Sequence, residues 1–179
     1  VNRGFQALLE LAQTSRPGAG LSSDLAAEQQ WRGIGFSLFG ERFIAPVAEV
    51  AEMLEPPSTT RLPGVQSWVV GVANVRGRLL PIFDLAGFYQ GSLNGQRRNY
   101  RVLVIEREGI YAGLLVEHVY GMQQFAKEDF TADTVGPTAI QDRLGNCVQG
   151  SYTHNEDQWQ VYSPAKLLQD PHFLNAALH

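Results

Sequence analysis

The stretch from Trp68 to Leu85, WVVGVANVRGRLLPIFDL, constrains this chain more than any other. It reads as two strands, Val69–Val75 and Arg78–Asp84, folded back at Arg76-Gly77. Apolar residues fill both faces of the first strand, the pattern of a strand buried on two sides rather than one with a wet face. Asn74 and Arg76 interrupt it with polar side chains that core packing does not ask for. The hairpin is therefore expected to be core scaffold and recognition surface at once.

The flanking sequence supplies more short strands. From Trp31 the apolar period is two, with Ile34, Phe36 and Leu38 alternating with Gly35, Ser37 and Phe39 up to a turn at Gly40-Glu41. Arg42–Ala45 returns, Pro46 breaks the strand, and Val47–Glu49 makes one helical turn or a bend before a strand over Val50–Glu55. Tyr100–Glu106 and Ile110–Val116 form a hairpin on Glu108-Gly109, and Glu117–Phe125 continues extended. Residues 126–145 read mostly as loop. Asn146–His154 and Gln158–Ser163 form a last hairpin, followed by a helix at Ala165–Gln169 whose Pro164 suits a first helical turn. About ten strands with turns every 8–12 residues predict an all-β protein of small barrels. Strand glycines Gly71 and Gly113, with Gly121 beyond, suit barrel corners. Helical spacing marks 3–13 and 21–30 as an N-terminal helical extension with a linker between. The tail 170–179 reads as frayed, with Phe173 and Leu174 able to dock.

The search for chemistry returns little. The formal net charge of -4 argues against nucleic acid as the main partner. The arginines of 97–101 read as solvated loop charge, or as a contact to an acidic partner surface. A single cysteine, Cys147, allows no internal disulfide and fits a cytoplasmic protein. No apolar run approaches the roughly 20 residues that a membrane helix needs, so no direct membrane insertion is expected. The four histidines show no metal-ligand spacing, no phosphate-cradling loop opens a helix, and no nucleophile elbow is present. No cofactor is expected. Glu49, Glu52, Glu55 and Asp84 would make a hydrolytic site only if two faced each other across a pocket; solvated or salt-bridged carboxylates are the plainer reading. What remains has the profile of a binding module.

The opening stretch also resembles the signature of the CheW-like adaptor family of bacterial chemosensory systems. Gly71, Val72, Asn74, Val75, Arg76, Gly77, Pro81, Asp84 and Leu85 match that pattern, Val75 standing for the usual leucine. Val50 and Glu52 match the family's valine-x-glutamate strand, and Tyr100–Val119 its glycine-containing hairpin, with Glu117 in place of aspartate. Gln149-Gly150 and Val161–Leu168 resemble its last strands and closing helix. Coverage runs from about Trp31 to Gln169. WRGIGF at Trp31–Phe36, Ala45-Pro46, LPGV at Leu62–Val65, Trp68-Val69 and Leu85–Phe88 look closest to the branch serving type IV pilus twitching motility. The resemblance implies two SH3-like five-stranded barrels in a domain at 31–169, sharing a core and leaving a groove between them. It implies no catalysis. It implies coupling of the cytoplasmic tip of a methyl-accepting chemoreceptor to the regulatory domain of a CheA-like histidine kinase. The partner-binding residues carried over are Arg76, Val50 and Glu52, with Asn74 and Gly71 explicable as a turn-shaping amide and a corner glycine. The alternatives are a small hydrolase using carboxylates near Glu52, and a CheW-like adaptor of flagellar chemotaxis.

Overall fold

The computed structural model describes residues 27–134 and 136–176. The helix expected at 3–13 and most of that at 21–30 lie outside them. The described chain forms eleven strands: β1 (Gln30–Leu38), β2 (Glu41–Pro46), β3 (Glu52–Leu54), β4 (Val69–Val75), β5 (Arg78–Asp84), β6 (Arg101–Arg107), β7 (Ile110–Val116), β8 (His118–Ala126), β9 (Phe130–Thr131), β10 (Val148–His154) and β11 (Asp157–Tyr162). They make two sheets. One, ordered β8-β1-β2-β11-β10-β9, takes its strands from both ends of the chain. The other, β3-β6-β7-β5-β4, comes entirely from the middle. The first has six strands rather than the expected five; the sixth is the two-residue β9.

Alternation along the strands sorts the apolar residues into three cores. Phe36, Leu38 and Phe43 of the first sheet meet Leu103, Ile105, Leu114 and Val116 of the second in a large shared core. Behind it the first sheet encloses Ile44, Phe125, Tyr152, Trp159 and Val161. The second encloses Ala73, Leu80, Ile82, Val102 and Val104. In β6, Val102 and Val104 point one way and Leu103 and Ile105 the other, all buried. The two-sided burial expected of Val69–Val75 thus belongs to β6. β4 is an edge strand, with Ala73 buried, Val70 and Val72 half-buried and Asn74 exposed. An apolar run does not say whether a second sheet covers its outer face, which is why the periodicity of β4 does not distinguish an edge strand from a central one.

Four hairpins turn on two residues that both have positive φ: Phe39-Gly40, Arg76-Gly77, Glu108-Gly109 and Asn155-Glu156. This is the mirror-image turn whose twist matches that of paired strands. Downstream of β5, the described residues also hold the short helices α1 (Leu85–Phe88), α2 (Thr138–Leu144), α3 (Pro164–Leu167) and α4 (Pro171–Leu174). The Asp84 carboxylate accepts from the Gly87 amide and caps α1, and the Ser163 hydroxyl caps α3. The segment read as frayed tail is docked. Phe173 is 3% exposed and stacks on Trp68 at 5.7 Å, with Phe83 and Phe88 edge-on at 4.9 and 5.3 Å. Leu174 remains exposed. The last helix therefore leaves the first sheet and straps across the second.

Candidate partner-docking site

Asn74 accepts a hydrogen bond from the Gly77 amide at 2.9 Å, which closes the β4–β5 turn. The expected turn-shaping role of Asn74 is what the geometry shows. The turn holds Arg76 outward with φ of 50°, and its guanidinium forms an ion pair with Glu52. Glu52 sits on β3, at the opposite end of the strand order from β4, so the pair ties the β4–β5 turn to the far edge strand of the middle sheet. The carboxylate stabilises the cation and raises the Arg76 pKa. Two residues singled out from separate motifs are thus brought into contact.

The remaining three carry-overs sit differently. Val50 is half-buried against the shared core. Its neighbour Ala51 donates to the Val104 carbonyl at 2.8 Å and starts the β3 pairing. Gly71 has φ of 149°, and a Cβ there would lie 2.5 Å from the Thr60 carbonyl oxygen. That close approach lets Thr60 and Val72 exchange two backbone hydrogen bonds of 2.9 Å along the free edge of β4. Gly71 is therefore explained by the backbone.

Neighbours that sequence reasoning missed extend the Arg76 surface. Arg78 pairs with Glu106 at 2.8 Å and lies 3.9 Å from the Tyr111 ring centroid. The pairing lowers the Glu106 pKa and raises that of Arg78. Leu79, between Arg78 and the core residue Leu80, is 69% exposed. A leucine on the outer face of β5 was visible in the alternation Leu79, Leu80, Pro81, Ile82. Its lack of cover was not.

A groove of about 440 Å³ opens where β3 and β8, edge strands of different sheets, face each other. Met53, Leu54 and Glu55 line one wall, Val119, Tyr120 and Gly121 the other, with Arg101 between. Met53, Tyr120 and the nearby Met122 expose 44%, 41% and 55% of their surface. Exposed methionines are adaptable contact residues.

The carboxylates considered for hydrolysis are engaged separately. Glu49 accepts from the Ser163 hydroxyl at 2.9 Å and from the Ala165 amide at 2.9 Å. Glu52 is held by Arg76, and Asp84 by the α1 amide. Burial raises the Asp84 pKa. Glu117, in place of the family's aspartate, accepts from the amides of Gly40 and Asn94 at 3.1 and 2.9 Å. Among the described residues no group of three or more metal-ligating side chains gathers, and no helix is long and apolar enough to cross a membrane.

Protein PilI of Pseudomonas aeruginosa is 44% identical over 179 residues, covering 99% of this chain and 98% of that one. Protein FrzA of Myxococcus xanthus is 28% identical over 86% of this chain and 93% of its own length. The crystal structure of the scaffolding protein TtCheW from Thermoanaerobacter tengcongensis superposes with a TM-score of 0.62 at 21% identity, covering 74% of this chain and 88% of that one, and has the same fold. Residues 32–172 match the CheW-like domain, and the chain belongs to the CheW-like family of chemosensory adaptors.

Proposed function

We propose that this chain is a non-catalytic adaptor that couples the cytoplasmic tip of a methyl-accepting chemoreceptor to the regulatory domain of a CheA-like histidine kinase, in a pathway controlling type IV pilus twitching motility. The observation that carries the reading is the Arg76–Glu52 pair on the rim of the middle barrel, set on a turn locked by Asn74. A rigid, charged rim beside an uncovered Leu79 is the pattern of a protein-docking surface: an apolar contact with polar groups that set orientation. The β3–β8 groove, with Met53 and Tyr120 on its walls, suits an amphipathic helix such as a receptor tip. Val50 supports both by holding β3 against the shared core. The pilus assignment rests on the similarity to PilI along almost the whole chain. On this reading residues 31–169 form the adaptor domain, 1–30 an extension and 170–179 the tail, and the protein works in the cytoplasm against membrane-bound receptors.

The test is titration of the purified chain with the kinase regulatory domain and with a receptor-tip fragment, each read by calorimetry. Saturable binding to both is expected, together with a ternary complex. Absence of binding to either at high micromolar concentration would overturn the proposal.

A further inference from the structure

We propose that the second mouth of the middle barrel is a separate docking pocket for a partner protein segment carrying an aliphatic or aromatic anchor flanked by carboxylates. This goes beyond the adaptor reading and uses neither Arg76, Glu52 nor the β3–β8 groove. The pocket lies at the Val70 end of the β4–β5 hairpin; Arg76 lies at the far end of β4, roughly 20 Å away along the strand. Val70, Ile82 and Leu115 form its floor, continuous with the core inside the middle barrel. Pro56, Pro57 and Tyr100 wall it in, and Arg97 stands at its rim. Its volume is about 200 Å³. Small-molecule sites usually measure about 300–1,000 Å³, so this one suits a single side chain rather than a cofactor.

Two features identify the occupant. The first is preorganisation. The 3-10 turn at Arg97–Asn99 is held by Asn99 donating to the Gln96 carbonyl and Tyr100 to that of Arg97. The Tyr100 hydroxyl donates to the Leu93 carbonyl, and the Arg101 guanidinium is spent on the carbonyls of Arg98 and Tyr100. With the two prolines opposite, the pocket is rigid before anything enters, which lowers the ordering cost of binding. The second is charge. Arg97 and Arg98 are exposed and make no ion pair among the described residues. Residues 85–105 contain three arginines and no carboxylate, in a chain of net charge -4. Arg97 at the edge of an apolar hole, with Arg98 next to it in the chain, selects an apolar anchor with acidic neighbours and disfavours basic segments.

The experiment is a two-dimensional amide NMR titration of the full chain with three blocked pentapeptides: Gly-Glu-Leu-Glu-Gly, its lysine counterpart Gly-Lys-Leu-Lys-Gly, and its anchorless counterpart Gly-Glu-Ser-Glu-Gly. The glutamate–leucine peptide is expected to shift the amides of Thr59, Val70, Arg98, Tyr100 and Leu115. The other two should bind at least about tenfold more weakly. The double variant Arg97→Glu, Arg98→Glu should reverse the preference towards the lysine peptide, a gain that misfolding does not produce. Equal binding of the lysine peptide, shifts centred on Met53 and Tyr120, or no shift at millimolar peptide would overturn the proposal. Concentration-dependent shifts of the same amides without peptide would overturn it in favour of a second copy of the chain. Their loss on adding phosphatidylglycerol vesicles, with no peptide response, would overturn it in favour of an anionic lipid surface.

Discussion

Replacing Glu49 tests whether this carboxylate is a structural pin rather than part of a reactive centre. Glu49 closes the 3-10 turn Val47–Glu49, where the chain crosses from β2 of the first sheet to β3 of the second. Its carboxylate accepts from the Ser163 hydroxyl and the Ala165 amide at the N-terminus of α3, a helix that follows β11. One side chain thus fastens the crossover to the closing helix. A hydrogen bond to a charged acceptor contributes about 1.5–3 kcal/mol, and a carboxylate at a helix N-terminus adds a few tenths more. The site is only half-buried, so water replaces part of what is lost. Glu49→Ala is therefore expected to cost about 2–3 kcal/mol, and Glu49→Gln, which keeps one acceptor oxygen, about 1 kcal/mol. For a domain of this size that lowers Tm by about 4–12 °C and 2–4 °C respectively. The assay is urea unfolding followed by circular dichroism, with Ser163→Ala completing a double-mutant cycle whose coupling should reach about 1 kcal/mol. A Glu49→Ala loss below about 0.5 kcal/mol would refute the reasoning. So would a Glu49→Gln loss equal to that of alanine, because the argument depends on the acceptor.

Arg76→Glu should weaken kinase-domain or receptor-tip binding by at least about tenfold in a calorimetric titration while leaving Tm nearly unchanged, because the pair it breaks is exposed. Phe173→Ala should cost about 2–4 kcal/mol in urea unfolding, and removal of residues 171–179 should cost about the same, because the strap docks chiefly through this ring. Burial raises the folded-state pKa of Asp84, so the native state holds a proton over a pH range where the unfolded chain has lost it. The stability of the parent relative to Asp84→Asn should then fall as pH rises from the ordinary carboxylate value through the raised one and stay flat above, measured by urea unfolding across pH. The Cys147 thiol is buried and its pKa raised, so iodoacetamide should label it slowly in the native protein and quickly after unfolding, read by intact mass.

The strand positions were readable because their signals are local: a period of two in β1, paired turn residues at Arg76-Gly77 and Glu108-Gly109, and Pro164 after a capping serine. The Asn74 turn bond was readable for the same reason. What depended on distant partners was not. Glu49 and Ser163 are joined across 114 residues, and nothing near either announces it. The helix α2 hid in a polar stretch because only Ile140 and Leu144 mark its apolar face, although Pro137 and Gly145 bracket it. The apolar character of Phe173 marks it as able to dock, but its partners Trp68, Phe83 and Phe88, before β4, on β5 and in α1, lie far from it in the chain. Within the site, the residue types at 52 and 76 were visible, and their contact needed the fold. Leu79 carries no local mark of its exposure, because exposure depends on whether a second layer is present.

The order in which strands are made carries a consequence for synthesis. The first sheet pairs β2 with β11, Phe43 against Gln160, so it cannot close until nearly the whole chain has been made. The middle sheet has all five strands by Val116. On a translating ribosome, then, the middle barrel is the first unit able to complete its ladder. Its outer face of Leu103, Ile105, Leu114 and Val116 must wait, uncovered, for partners whose own sheet is unfinished. That interval, rather than any weakness of the finished protein, is when this chain is most exposed to aggregation and most in need of a chaperone.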